Sequence, residues 1–282
     1  MRKCLRLGLL LMILMCAPVS QAEVAQFYGM DIDTQATIID FGNTAVEDVE
    51  GLIELIDRMP NLTRVDMYAS RLEHADMARL FDGYPHIRFG WTVYMGKHVV
   101  RTDATSFSTL HGKCPEHDEA FFEPLRYCLD LVALDLGHNR IRDISFLRHF
   151  PHMKVLILAC NQIEDISVLA ELKELEYLEL FSNRFKDATP LAQLPQLRDL
   201  NISNNPVNDI TSLHQMDQLE RFWCTMNDKR ITRQERKDME QALPDCKFYW
   251  DGQPTLGGWR EHPHYDTIYA IFNQGGYRPF DQ

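Results

Sequence analysis

No glycine-, serine- or proline-rich tract interrupts the 282 residues, so no stretch has the composition of a flexible linker. After residue 22 no apolar run reaches the ~20 residues that a membrane-spanning helix needs. The usual signatures of catalytic sites are also missing: no G-x-S-x-G, no H-E-x-x-H, no phosphate-cradling glycine loop and no pair of C-x-x-C motifs. The chain is therefore not expected to be an enzyme, and no catalytic residue, cofactor or metal is assigned to it. Positive charge is in short supply, with 29 Lys and Arg against 41 Asp and Glu. A surface of that balance repels phosphate backbones and anionic lipid heads, which makes nucleic acid an unsuitable partner.

The first 22 residues stand apart. "MRKCLR" is basic, "LGLLLMILMCAPV" is apolar, and "SQA" places small residues before Glu23, the three-part pattern of a secretory signal. Cleavage there removes Arg2, Lys3 and Arg6, leaving 26 basic against 41 acidic residues and a net charge of −15. The mature chain is expected to be exported, whether secreted, at the cell surface or in a periplasm, with no insertion into the membrane afterwards. It keeps Cys114, Cys128, Cys160, Cys224 and Cys246. An odd, scattered set is no disulfide framework; these read as structural thiols, with room for one bridge such as Cys114–Cys128.

What the sequence does have is a repeat. Asn139, Asn161, Asn183, Asn205 and Asn227 stand 22 residues apart. Leu134, Leu156, Leu178, Leu200 and Phe222 form one apolar column and Leu136, Leu158, Leu180, Ile202 and Cys224 the next. Alternation with period two predicts a short strand in each repeat, with its leucines buried. One such strand cannot bury its face alone, so neighbours must stack in register. The Asn belongs at the bend after the strand, where its amide satisfies backbone groups left by the turn. Asp143, Asp165, Asp187 and Asp209 each precede a Ser or Thr by two residues and suit caps of short helical turns on the outer side.

"LVALDLGHNRI", "LEYLELFSNRF" and "LRDLNISNNPV" fit the pattern L-x-x-L-x-L-x-x-N-x-I, and in this the chain resembles leucine-rich repeat proteins. Its 22-residue length and recurring "DI[S/T]xL" are similar to bacterial internalins and to the leucine-rich regulatory subunits of protein phosphatase 1. The resemblance implies an α/β solenoid, a horseshoe with a parallel strand ladder on its concave face and short helical turns or helices on its convex face. It says little about function, because such repeats bind many unrelated partners.

The expected organisation is a signal at 1–22, longer degenerate repeats at 23–86, and a hairpin insert with a helix at 87–130. Regular repeats follow at 131–229, then a C-terminal cap and aromatic tail at 230–282. Gly96-Lys97 between "WTVYM" and "HVVRT" suggests the hairpin turn. Residues from about Thr232 to Leu243 read as a helix followed by a strand that closes the open end of the solenoid.

Side chains between the buried leucines should face the concave side, repeated at the ~5 Å spacing of adjacent strands. The column between the two leucines reads Asp135, Ile157, Glu179, Asn201 and Trp223; the flanking columns add Tyr177, Asp199 and Arg221 on one side and Phe181 on the other. Aromatics ringed by charge resemble an interface core with its rim. These nine residues are the expected binding site for a protein partner or a surface glycan. The alternative is that the C-terminal segment folds over them, or that the chain is a structural part of an envelope assembly. His262 and His264 in "EHPHYD", with Asp266, form the most metal-like cluster, and a packing role suits them better.

Overall fold

A computed structural model of the chain describes residues 23–110, 116–227, 230–253 and 261–280. The expected signal, Cys114 and residues 254–260 of the expected aromatic tail lie outside them.

The described chain opens with an antiparallel hairpin of β1 (Val24–Phe27) and β2 (Met30–Asp33). Two long repeats follow. β3 (Ile38–Asp40) leads to α1 (Val49–Asp57), β4 (Arg64–Asp66) leads to α2 (His74–Gly83), and β5 (Arg88–Gly90) completes a three-stranded parallel sheet. α1 starts where the Asp48 carboxylate accepts the Gly51 N–H at 2.9 Å, the usual N-cap device. Val49, Leu52, Leu55 and Ile56 then return at helical spacing and are buried.

The beat breaks at the hairpin of β6 (Thr92–Met95) and β7 (His98–Arg101), which turns at Gly96 with φ +58°. β8 (Ser106–Ser108) rejoins the ladder, and Glu119–Tyr127 follows as a 3-10 helix. Pro124 within that segment offers no N–H, which removes a bond that an α-helix would need there.

The 22-residue repeats supply β9 (Ala133–Asp135), β10 (Val155–Ile157), β11 (Tyr177–Glu179), β12 (Asp199–Asn201) and β13 (Arg221–Trp223). After β13 come α3 (Arg233–Ala242), β14 (Lys247–Tyr249) and α4 (Tyr265–Gln274). β8 to β14 form one seven-stranded parallel ladder in sequence order. Its register aligns Phe107, Leu134, Leu156, Leu178, Leu200, Phe222 and Phe248 as one continuous column. All five regular positions in that column, four leucines and Phe222, are completely buried, and a fully buried Leu contributes roughly 1.5–3 kcal/mol.

The asparagines hold the repeats to each other. Asn183 Nδ2 donates to the Leu180 carbonyl of its own repeat at 3.0 Å and to the Leu158 carbonyl of the preceding one at 2.9 Å. Its Oδ1 accepts the Ile163 N–H at 3.0 Å. Asn161 and Asn205 repeat the two carbonyl bonds. The residue before each Asn (His138, Cys160, Ser182, Asn204 and Met226) is left-handed, with φ between 53° and 60°. That conformation costs roughly 1–2 kcal/mol for an ordinary residue, and the Asn ladder on one side and the strands on the other fix it.

On the convex side, Asp143, Asp165, Asp187 and Asp209 each accept the backbone N–H two residues on at 2.8 Å. These caps open the 3-10 turns Ser145–His149, Ser167–Glu171, Thr189–Gln193 and Thr211–Gln215. At the far end Thr232 and Glu235 form a reciprocal capping box that starts α3, and β14 pairs with β13. Cys128, Cys160, Cys224 and Cys246 are free thiols, so Cys128 does not form the bridge that the sequence leaves room for. No helix among the described residues is long and apolar enough to cross a membrane.

Candidate functional site

The strand ladder has two buried faces. One belongs to the leucine core. On the other, Ala133, Val155, Ile157, Ala159, Tyr177, Phe181 and Trp223 pack with Ile268 and Ile271 of α4 into a second, separate apolar cluster. All nine residues expected to form an open concave site stand on this face, and every one is at most 9 % exposed. An accessible aromatic surface is therefore not what the fold presents. The apolar side chains of that surface instead bury the protein's own C-terminal segment, the alternative weighed above.

Several bonds fasten that segment. The Ile271 carbonyl accepts from Ser106 Oγ at 3.2 Å, Gly276 N–H donates to Ser106 Oγ at 2.9 Å, and Tyr277 N–H donates to Thr105 Oγ1 at 2.9 Å. Gly275 (φ +77°) and Gly276 (φ +83°) turn the chain back after α4 to make the last two bonds. The His262 ring stacks on Tyr177 at 5.9 Å and meets Trp223 at 5.6 Å, while Trp223 lies flat on Tyr249 at 4.7 Å. The rings that would stack a sugar are thus already covered.

The polar members of the face form two groups. In the first, Asp199 is fully buried and accepts hydrogen bonds from Arg221 Nε and from His264 Nδ1. Burial opposes its ionisation, but those two partners outweigh it and hold the carboxyl below the usual range. Arg221 also donates to Glu220 at 2.8 Å. His262 accepts the His264 backbone N–H at 3.2 Å, and burial pushes its imidazole down to about 4. Donor atoms of Asp199, His262 and His264 lie within 4.8 Å of one another, a donor set of metal-binding type, with Asp199 rather than Asp266 as the third member. The guanidinium of Arg221 sits in it, 3.1 Å from His264 Nδ1. A fixed cation there already neutralises the carboxylate that a metal would need, so the group fits an ion-paired latch better than a metal centre.

The second group is Glu179, with Asp135 nearby. Tyr177 Oη donates to Glu179 Oε1 at 2.6 Å. Burial pushes the Glu179 carboxyl up to about 8; the Tyr177 bond works against this and the charge of Asp135 adds to it. Asp135 accepts the Gly137 N–H and Ser108 Oγ–H, each at 3.1 Å. Both carboxyls line a cleft of about 180 Å³ that stays open between the early part of the ladder and α4. Its walls include Ile157, Phe181, Tyr265, Tyr269 and Phe272. Leu110 and Tyr269, also lining it, are 48 % and 56 % exposed. Neither Leu110 nor Tyr269 is singled out by the repeat pattern, because both lie outside the 22-residue register.

A parallel-strand solenoid, one residue column per repeat, closed by a capped helix and strand, defines a class of proteins. Residues 131–171 and 173–214 match the family model described as Leucine Rich repeats (2 copies), so these two stretches are leucine-rich repeats and the fold is a leucine-rich repeat solenoid. No curated protein matches its sequence. Among solved structures it is similar to an internalin C2 of Listeria monocytogenes, at 21% identity over 80% of each chain with a TM-score of 0.37. It is similar also to a leucine-rich repeat protein of Leptospira interrogans, at 17% identity over 77% of this chain and 55% of that one, with a TM-score of 0.46. The functional domain of InlJ from Listeria monocytogenes matches at 15% identity over 83% of this chain and 48% of that one, with a TM-score of 0.41.

Proposed function

We propose that this is an exported recognition module that binds a protein partner on its concave side. Export is supported by the basic, apolar and small-residue pattern of residues 1–22. Recognition is supported chiefly by one observation: the variable columns of the repeat make a second apolar face, distinct from the core, shaped well enough to pack an aromatic helix. Leucine-rich folding needs only the first core. In this reading Asp199, Arg221 and Trp223 hold the C-terminal segment in place, beside Asn201, which accepts the Ser203 N–H of its own repeat. Asp135, Ile157, Tyr177, Glu179 and Phe181 border the part that a partner reaches, and Leu110 and Tyr269 form its exposed rim. A rigid ladder carrying preset side chains binds with little ordering cost.

The test is a pull-down from envelope and host-surface extracts with residues 23–282 as bait, beside a Leu110→Ala/Tyr269→Ala variant. Both substitutions are at exposed positions and leave the core intact. A partner kept by the first bait and lost by the second supports the reading. Equal capture by both, or capture by neither, contradicts it and favours a structural component with no ligand at this face.

A further inference from the structure

The cleft between the ladder and α4 combines three features. Glu179 is 6 % exposed and Asp135 2 % exposed, so both carboxyl groups are withdrawn from solvent yet border an open cavity. Among the described residues no cation pairs with Glu179; its hydrogen-bond partner is the neutral Tyr177 hydroxyl. Around the carboxyls the wall is apolar and aromatic, from Phe181 on the ladder and Tyr265, Tyr269 and Phe272 on α4.

We infer that this cleft is a binding site for an organic cation, an alkyl- or arylalkylammonium group whose charge pairs with Glu179 and whose hydrocarbon body packs on the aromatic wall. A Glu179 carboxylate formed in this largely apolar wall is stabilised by a charge of opposite sign beside it. Aromatic faces add attraction for an ammonium ion through their ring quadrupoles. The cavity is smaller than the ~300–1,000 Å³ typical of drug-sized sites, so it takes the end of a lysine side chain or a small free amine. Arginine is disfavoured, because its planar fork seeks a bidentate carboxylate and one Glu179 oxygen is already taken by Tyr177. The inference stands on the cleft alone and does not require the protein-partner reading.

The charge state of Glu179 gives the inference a signature. Its carboxyl is pushed up to about 8, so near neutrality it carries a proton that an entering cation must displace. The titratable groups facing it are Tyr177, Asp135, His138, Tyr265 and Tyr269. Binding should therefore strengthen by up to tenfold per pH unit between pH 6 and 8 and level off above.

The experiment is isothermal titration of the mature chain with phenethylammonium chloride and, separately, with its neutral counterpart 2-phenylethanol. Each runs at pH 7 in two buffers of different ionisation enthalpy. Expected are binding of the amine, release of close to one proton, and at least tenfold weaker binding of the alcohol. Glu179→Gln, which keeps the side chain's volume and an acceptor for Tyr177, should lose both the affinity and the proton release. Acetyl-Ala-Lys-Ala-amide then competes with the amine if the natural source is a protein side chain and fails to compete if it is a free amine. Equal binding of alcohol and amine, or no binding of the amine at millimolar concentration, overturns the inference without recourse to any variant. So does undiminished amine binding by Glu179→Gln. A failed pull-down leaves these results untouched.

Discussion

Asp199 and His264 stand 65 positions apart in the chain and share a hydrogen bond beneath the C-terminal segment. With Arg221 on the other carboxylate oxygen, they join the middle of the strand ladder to the start of α4. The variable columns and the tail are in this sense one unit, since the columns supply the surface and the tail is its first occupant.

Removing the carboxylate should loosen that unit. In Asp199→Asn the Arg221 guanidinium loses its buried counter-ion and keeps only the half-exposed Glu220. Breaking a buried pair typically costs about 3–5 kcal/mol, and Glu220 should hold the loss near the lower figure. Urea denaturation checks the size. His264→Ala should cost less, because Asp199 keeps Arg221.

Trp223→Ala should destabilise by about 3–5 kcal/mol, since the ring is wholly buried between Tyr249 and His262. Near-ultraviolet circular dichroism should change together with the unfolding midpoint. Loss of partner binding in such a variant would report on the tail as much as on the partner, so the rim residues are the better probes.

Stability should depend on pH in a specific way. Glu179 titrates near 8 in the folded chain against about 4.3 unfolded. Its folded pKa is raised, so its contribution is complete below the unfolded value and is lost as pH rises through 8, by at most about 5 kcal/mol. His262 is depressed to about 4 from about 6.5, so its contribution is complete above 6.5 and is lost as pH falls through 4, by at most about 3 kcal/mol. The opposing slopes should leave a plateau between about pH 4.5 and 6.5. Thermal melts across pH 3.5–9 check this, and Glu179→Gln should remove the decline on the alkaline side.

Met226→Gly should be neutral or stabilising by up to about 1 kcal/mol. Met226 is left-handed at φ +60° and 46 % exposed, so relief of strain outweighs lost burial. Asn183→Ala, two repeats back along the ladder, should cost about 1–3 kcal/mol, because it leaves the buried Ile163 N–H without its acceptor and takes one of the two Asn bonds from each of the Leu158 and Leu180 carbonyls. Denaturant midpoints of the two variants should move in opposite directions, or the first should stay fixed.

The ladder was legible because its rules are local. Leucines at alternate positions give strands, and Asp two residues before Ser or Thr gives the caps. The run from about Thr232 to Leu243 gives α3, and Gly96 gives the hairpin. The left-handed residues were silent, because His138, Cys160 and Met226 share no side-chain chemistry and it is the Asn after each that fixes the turn. The tail's destination was only half legible. Its aromatics called for a surface, but the pairing of His264 with Asp199 is a contact between distant segments with no mark in either. For the same reason the nine concave residues read as exposed: a period-two pattern tells which side chains leave the leucine core, not what meets them on the other side. The cleft depends on where α4 lies and was not legible at all.

The most direct measurement is hydrogen–deuterium exchange of residues 23–282, followed over residues 261–280 and over β9 to β13. With the tail packed on the concave face, the α4 amides should be protected to a degree approaching that of the strands, and Asp199→Asn should release them while leaving the strands protected. Full exchange of residues 265–274 within seconds beside protected strands would contradict the account, and would leave the concave face bare for a partner to occupy directly.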